Sequence, residues 1–412
     1  MDAAARDVAG REAGLEWILA ACRTWLGTAA SGGDPVASTS PDRLWPAVAR
    51  LARLHNLEPL LYRLVSGELD AHASVPASLR DAWSESYHLN FLFNTTLLGS
   101  LDRVLAGCRH EGLEVVTFKG LATAARTYGD LGLRVQTDVD LICREDDLPR
   151  LAALVRDAGY RRLGETSIYH LEFFDPEIQA GLELHFQLYD FLRHREAFEE
   201  RVRASAVTIA IDGVSLPAPA GELDLILDVA HLVNHDFALT LKHLLDVALK
   251  LHRGQSTLDW DAVATVLGDI DLRPEFDMAL GLVDGLFGGD TGLAARRLSG
   301  PAVPEAHRQA VRSHLLDVDR YAGRIALGDT ALRVGWRQRA RTVARLLLPR
   351  ARRLQALHGA SSPLSAVRFF PAHVWQVLGR GLRNLRGARP PTSPVHAVSM
   401  KRAVYRRRVH LP

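Results

Sequence analysis

Asp138 and Asp140 flank a valine in the run Thr137-Asp-Val-Asp-Leu-Ile, which alternates polar and apolar residues. In a β-strand, residues two apart point to the same face. Both carboxylates would therefore project together, with Val139 and Leu141 packed behind them. Two carboxylates held that close repel unless a cation lies between them. Mg²⁺ suits the place, because it takes hard oxygen ligands and bridges carboxylates to phosphates. A second run, Leu182-Glu-Leu-His-Phe, puts Glu183 and His185 on one face of another predicted strand. A third carboxylate beside the aspartate pair would complete a two-metal clamp for in-line displacement at phosphorus. Upstream, Lys119-Gly120 lies where a β-prone run (113–118) gives way to a helical one (121–128). Glycine there lets the backbone approach a ligand, and helix N-terminal amides beside a lysine receive phosphates.

The elements that must carry these residues follow from apolar spacing. Residues 12–27 and 43–66 have helical periodicity, with a Gly/Ser/Pro loop over 30–42 between them. Residues 78–111 predict one long helix or two short ones, with Leu89, Leu92, Leu97, Leu98, Leu101, Val104 and Leu105 on the apolar side. A strand over 137–143 follows, then a helix over 146–158 that stops at Gly159. Strands over 169–174 and 182–188 are joined by a turn around Asp175-Pro176 and Gly181. The order strand–helix–strand–helix–strand–strand makes a small α/β layer. A further strand is predicted over 209–214, and Pro217-Ala-Pro-Ala reads as a linker. Helices are predicted over 222–252, 260–268 and 273–287, and a helical, basic region from 304 onward. There is no internal repeat.

Taken in order, Phe118-Lys-Gly-Leu-Ala, Tyr128-Gly-Asp, Arg134, Thr137-Asp-Val-Asp-Leu-Ile, Gly159-Tyr160 and Leu182-Glu-Leu-His-Phe resemble the uncharacterised nucleotidyltransferase family of the DNA polymerase β-like superfamily. The likeness continues through Ala230-His231, His235, Leu244-Leu-Asp246-Val-Ala and Asp259-Trp260, and so covers roughly residues 90–290. The resemblance implies an α+β fold: a small mixed-sheet nucleotidyltransferase palm embedded in a mostly helical chain, with helical N- and C-terminal parts. The expected divisions are a helical region (1–95), the palm (96–216), a helical domain packing on it (217–300), a basic helical region (301–390) and a disordered basic tail (391–412). The resemblance also implies Asp138, Asp140 and Glu183 as ligands of Mg²⁺ or Mn²⁺. Lys119, Gly120 and Arg134 would meet the nucleotide, with Arg134 steadying the triphosphate. The implied reaction moves a nucleoside monophosphate from an NTP, ATP by expectation, to a small-molecule, peptide or protein acceptor, releasing pyrophosphate. One departure stands out: the superfamily's usual Gly-Ser at the start of the helix is replaced here by Lys119-Gly120. A nucleotide-binding protein with reduced catalysis and a nucleic-acid-directed transferase are the alternatives.

Other residues are candidate contacts in the cleft. His231 and His235, four apart on a predicted helix, have the spacing of a zinc pair. Their run, His-Leu-Val-Asn-His, lacks the glutamate of a metalloprotease helix, so a hydrogen-bonded structural pair is the expected role. Lys242 and Asp246 are placed for an i,i+4 pair, with Asp246 able to face the cleft. His170 and Glu172 alternate on a predicted strand near Glu183. The chain has no P-loop, dinucleotide fingerprint or nucleophile elbow, which argues against a P-loop ATPase, a nicotinamide enzyme and an α/β-hydrolase.

Composition sets the remaining bounds. With 47% hydrophobic and 24% charged residues the chain reads as a globular protein. No stretch is apolar for long enough to span a bilayer, and residues 1–16 have no secretory apolar core. Cys22, Cys108 and Cys143 are too few and scattered for a disulfide framework, and three thiols fit the cytoplasm. Residues 330–412 carry 18 Lys or Arg and no Asp or Glu, so the rest of the chain holds 32 of the 50 basic residues against all 48 acidic ones. That block fits an anionic partner, whether nucleic acid, a membrane surface or a carrier. It equally fits docking against the acidic remainder of the chain.

Overall fold

A computed structural model of the chain describes residues 3–28, 39–67, 74–163, 169–189, 191–235, 237, 239–254, 257–288, 303, 305–316, 362–371 and 374–375. Residues 317–361 of the basic helical region expected over 301–390, and the whole tail expected over 391–412, lie outside the described residues. Among those described, no helix is long and apolar enough to cross a membrane.

Four helices open the chain: α1 (Ala3–Leu26), α2 (Pro41–Leu54), α3 (Glu58–Gly67) and α4 (Ala77–Glu111). Pro41 occupies the first turn of α2, where its fixed φ suits the helix and its missing N–H costs nothing. The predicted helix over 78–111 is a single one of 35 residues, stopped by Gly112 in the left-handed region. Its buried stripe differs from the expected one. Leu89 and Leu92 are 40% and 63% exposed, whereas Asn90 and Asn94 are buried. The inner face of this half of α4 meets the carbonyls of loop 131–134, and amide side chains satisfy carbonyls that leucines would strand.

The sheet comprises β1 (Val115–Phe118), β2 (Asp138–Cys143), β3 (Arg161–Arg162), β4 (His170–Asp175) and β5 (Ala180–His185), in the order β1-β2-β5-β4-β3. Between β1 and β2 the chain makes a short helix, α5 (Gly120–Thr123), continued by a π-helical turn, Ala124–Tyr128. The helix α6 (Leu148–Asp157) follows β2. Only β2 and β5 run parallel; the other pairs are antiparallel. The fold is α+β, as the resemblance implies. Val139, Leu141, Leu171, Phe173, Leu182 and Leu184 line one face of the sheet, none more than 1% exposed. They pack with the C-terminal half of α4 and with α6 in one hydrophobic core. Strand alternation sends the acidic and histidine side chains to the opposite face.

After the sheet comes α7 (Arg195–Ala204), which the sequence reading did not anticipate, and then a hairpin of β6 (Val207–Ile211) and β7 (Val214–Ala218). Asp212 and Gly213, both at positive φ, make its two-residue turn. Pro217 and Ala218, expected in a linker, belong to β7. A two-stranded ribbon has only edges, so the missing proline N–H is tolerated.

The predicted helix over 222–252 is two helices, α8 (Gly221–Asn234) and α9 (Leu241–Gly254), followed by α10 (Trp260–Ile270) and α11 (Arg273–Phe287). Asp259 caps α10 by accepting from the N–H groups of Asp261 and Ala262. A further helix, α12 (Glu305–Leu316), packs on the N-terminal helices. One continuous core joins α1–α3 to α8–α11, so the first and third of the expected divisions share their interior.

Candidate active site

Strand register assembles the polar face of the sheet. Asp140 stands opposite Glu183 across the parallel β2–β5 ladder, and Glu183 stands opposite Glu172 across β5–β4. His185 stands opposite His170. Asp138 joins them from the start of β2. His185 Nε2 lies 2.8 Å from Asp140 Oδ1 and 3.0 Å from Glu183 Oε2. His170 Nε2 lies 2.9 Å from Glu172 Oε1 and 3.6 Å from Glu183 Oε2. Phe118 floors the group, its ring edge-on to His185 at 5.2 Å.

These distances perturb the charges. Burial, with repulsion from Asp140 and Glu183, pushes Asp138 up to about 7. Burial acts in the same sense on Asp140, but Lys119 and the His185 hydrogen bond outweigh it and hold that carboxylate well below the usual range. Burial also disfavours a charged His185; its hydrogen bonds to Asp140 and Glu183 prevail and raise it to about 9. The protonated imidazole of His185 thus joins the Asp140 and Glu183 carboxylates. The donor set of three carboxylates on one face fits a divalent metal.

The turn beside this face is sharp. Lys119 has φ 57° and ψ −150°, and Gly120 has φ 41°. A Cβ on Gly120 would lie 3.0 Å from Gln136 Oε1 and 3.5 Å from the Asp138 carbonyl oxygen. Glycine is needed there because the turn presses on the start of β2. Lys119 Nζ lies 4.6 Å above the Phe118 ring and 3.1 Å from His231 Nδ1. Burial lowers its pKa, but the Tyr189 hydroxyl and Asp140 together move it upward overall. His231 and His243 are driven well below the usual range by burial and by neighbouring lysines. A neutral His231 therefore accepts from Lys119 and ties α8 to the β1–α5 turn. The His231 ring packs against those of His235 at 4.7 Å and His243 at 5.5 Å, and His235 is exposed. Among the described residues the group with metal-ligand spacing is instead His170, Glu183 and His185.

Arg134 and Asp246, respectively 5% and 3% exposed, hold each other through three hydrogen bonds of 2.9–3.1 Å. Tyr128 adds its hydroxyl to Asp246 at 2.8 Å. Arg134 is thereby paired inside the protein. The expected Lys242–Asp246 pair gives way to this arrangement, and Lys242 Nζ donates instead to the Val135 carbonyl at 2.8 Å. Lys242 is buried, and burial followed by the Arg134 charge lowers it to about 8.

Two positioning residues escaped the sequence reading. Asn94 Nδ2 donates to the Leu131 and Arg134 carbonyls at 2.6 and 3.0 Å, and Asn90 Nδ2 to those of Gly132 and Arg134 at 2.8 and 3.1 Å. Together they pin the loop that leads into β2. Two asparagines four apart, and so on one face of the predicted helix, were the available signal.

A model of the uncharacterised nucleotidyltransferase family matches residues 41–288, and the chain belongs to that family. It is thus a nucleotidyltransferase, moving a nucleotidyl group from an NTP to an acceptor. The matched span runs from α2 through α11 and includes both walls of the site. Two solved structures of the antibiotic-resistance factor ANT(2'')-Ia are similar at 18% identity and a TM-score of 0.33. One was determined in solution; the other is a crystal structure with adenylyl-2''-tobramycin. Each likeness covers 42% of this chain, and 91% and 95% of those chains respectively. No curated protein matches the chain.

Proposed function

We propose that the chain transfers a nucleoside monophosphate, from ATP, to a small-molecule, peptide or protein acceptor at the polar face of the sheet. The acceptor oxygen attacks the α-phosphorus, the bond to the bridging β-phosphate oxygen breaks, and pyrophosphate leaves with the electron pair. The observation that carries this reading is the direct pairing of Asp140 with Glu183 across the parallel ladder, with Asp138 on the same face. Asp138, Asp140 and Glu183 would hold Mg²⁺ or Mn²⁺, which when bound supplies Lewis-acid polarisation and charge neutralisation at the phosphates.

The remaining work falls to the chain's own groups. Lys119, held over Phe118 by His231, presents positive charge beside the carboxylates. Lys242 adds a second buried cation from α9, and together they offset charge that develops on the leaving pyrophosphate. Gly120 keeps the turn close to β2, so Lys119 stays near the acidic group. Asp140→Asn tests the assignment, with release of pyrophosphate and label transfer from α-labelled ATP as the readout. Transfer should vanish while the thermal unfolding profile stays that of a folded protein. Full turnover in that variant would remove Asp140 from the mechanism.

A further inference from the structure

The polar face of the sheet divides by donor type. Asp138 and Asp140 offer oxygen alone. Across the ladder, His170 and His185 offer imidazole nitrogen, and Glu183 lies between the two halves. One ligand atom from each of His170, Glu183 and His185 falls within 4.8 Å of the other two. Around one ion with bonds of about 2.1 Å, adjacent donors of an octahedron stand about 3.0 Å apart and opposite ones about 4.2 Å. The Glu183–His185 and Glu183–His170 separations of 3.0 and 3.6 Å lie within that span. Rigidity favours the same reading. All three donors stand on paired strands, His170 is directly opposite His185, and the ring centroids are 4.8 Å apart. Closing the donors on an ion takes side-chain adjustment and no movement of the strands. Their side chains are 13–19% exposed, which leaves a solvent path for an ion.

We infer that His170, Glu183 and His185 form a nitrogen-containing site for a borderline transition-metal ion of the Mn²⁺, Co²⁺ or Zn²⁺ class, set beside the oxygen-only pair Asp138–Asp140. Imidazole suits such ions, whereas Mg²⁺ takes oxygen ligands and keeps its waters. Glu183 is common to both halves. The site therefore sets a metal preference that three carboxylates alone would not. Glu172 Oε1 lies 2.9 Å from the same His170 Nε2, so this nitrogen must exchange that hydrogen bond for the ion. The inference rests on the proposed transfer site only in sharing Glu183 with it.

The test uses the metal-stripped full chain and Mn²⁺ alone, with pulsed electron paramagnetic resonance reading ¹⁴N coupling at the bound ion. Wild type should show histidine nitrogen coupling, and Asp138→Asn should keep it. His170→Gln and His185→Gln should each weaken it and cost about tenfold or more in Mn²⁺ affinity. Excess Mg²⁺ should leave the nitrogen-coupled Mn²⁺ in place. Bound Mn²⁺ without nitrogen coupling in the wild type overturns the inference, even if either histidine variant fails to fold, and leaves the transfer site standing. Coupling unchanged in the double histidine variant overturns it likewise. A chain that binds no Mn²⁺ overturns both this inference and the metal-dependent reading of the site.

Discussion

Arg134 offers the sharpest test, because the family resemblance gives it to the nucleotide and the structure gives it to Asp246. The pair is almost wholly buried, with side-chain exposures of 5% and 4%. Asp246→Asn keeps the shape and most of the hydrogen-bonding capacity but removes the negative charge, leaving a guanidinium in the interior without its counter-ion. Breaking a buried pair from one side typically costs about 3–5 kcal/mol. The cost here belongs at the upper end, since Asp246 accepts three hydrogen bonds from Arg134 and a fourth from Tyr128. Arg134→Gln strands the carboxylate instead and should cost a similar amount. Removing both charges together, as Arg134→Met with Asp246→Leu, relieves the desolvation and should recover most of the loss. Urea unfolding followed by circular dichroism measures all four proteins. The reasoning is refuted if Arg134→Gln unfolds at the wild-type urea concentration while its KM for the triphosphate rises. That outcome would return Arg134 to the nucleotide. It is also refuted if the double variant is no more stable than the singles.

Two further outcomes follow from the site. His185 is raised to about 9 and Asp138 to about 7, so each binds its proton more tightly in the ion-free fold than when unfolded. Their contribution to stability is complete below the unfolded values of 6.5 and 3.8 respectively, and is lost as pH rises through about 9 and about 7. The ion-free protein should therefore melt lower at pH 9 than at pH 6. Divalent-metal binding, which must expel the same protons, should tighten about tenfold per pH unit for each proton released. Calorimetry in buffers of different ionisation enthalpy counts those protons, and pH-independent binding with no release contradicts the assignment. Asn94→Ala leaves the Leu131 and Arg134 carbonyls short of a buried partner and should cost about 1–3 kcal/mol in chemical unfolding. An unchanged unfolding midpoint would show that water replaces the amide.

The sheet was legible because strands buried on one face leave a period-two signature. Val139, Leu141, Leu182 and Leu184 alternate with Asp138, Asp140, Glu183 and His185, and only one pleat reconciles those patterns. Register was not legible. Asp140 meets Glu183 because β5 returns parallel to β2 after a crossover through α6, β3 and β4, and no residue in either strand encodes that partner. The misplaced face of α4 has a different cause. Periodicity counts leucines, but the neighbouring loop offers bare carbonyls, so Asn90 and Asn94 turn inward while Leu89 and Leu92 face water. Pro217 misled in a similar way, since proline marks a linker only where a ladder needs its N–H.

The hydrogen-bond partners of Arg134 and Lys242 were not legible in the sequence either. Lys242 and Asp246 are one turn apart on α9, and proximity alone suggests that they neutralise each other. Arg134, more than a hundred residues earlier, claims Asp246 with the fork geometry that guanidinium and carboxylate share, Nε donating to Oδ1 and Nη2 to Oδ2. Tyr128 takes a further share of the same carboxylate. Lys242 is left with the Val135 carbonyl, and among the described residues no carboxylate lies within ion-pair distance of it. Burial and then the Arg134 charge lower its pKa to about 8, against an opposing pull from Asp246 and Asp138. A phosphate arriving beside it would supply both the missing charge and hydrogen-bond acceptors. The buried Arg134–Asp246 pair thus leaves the Lys242 ammonium its hydrogen bond to the Val135 carbonyl in place of a direct ion pair.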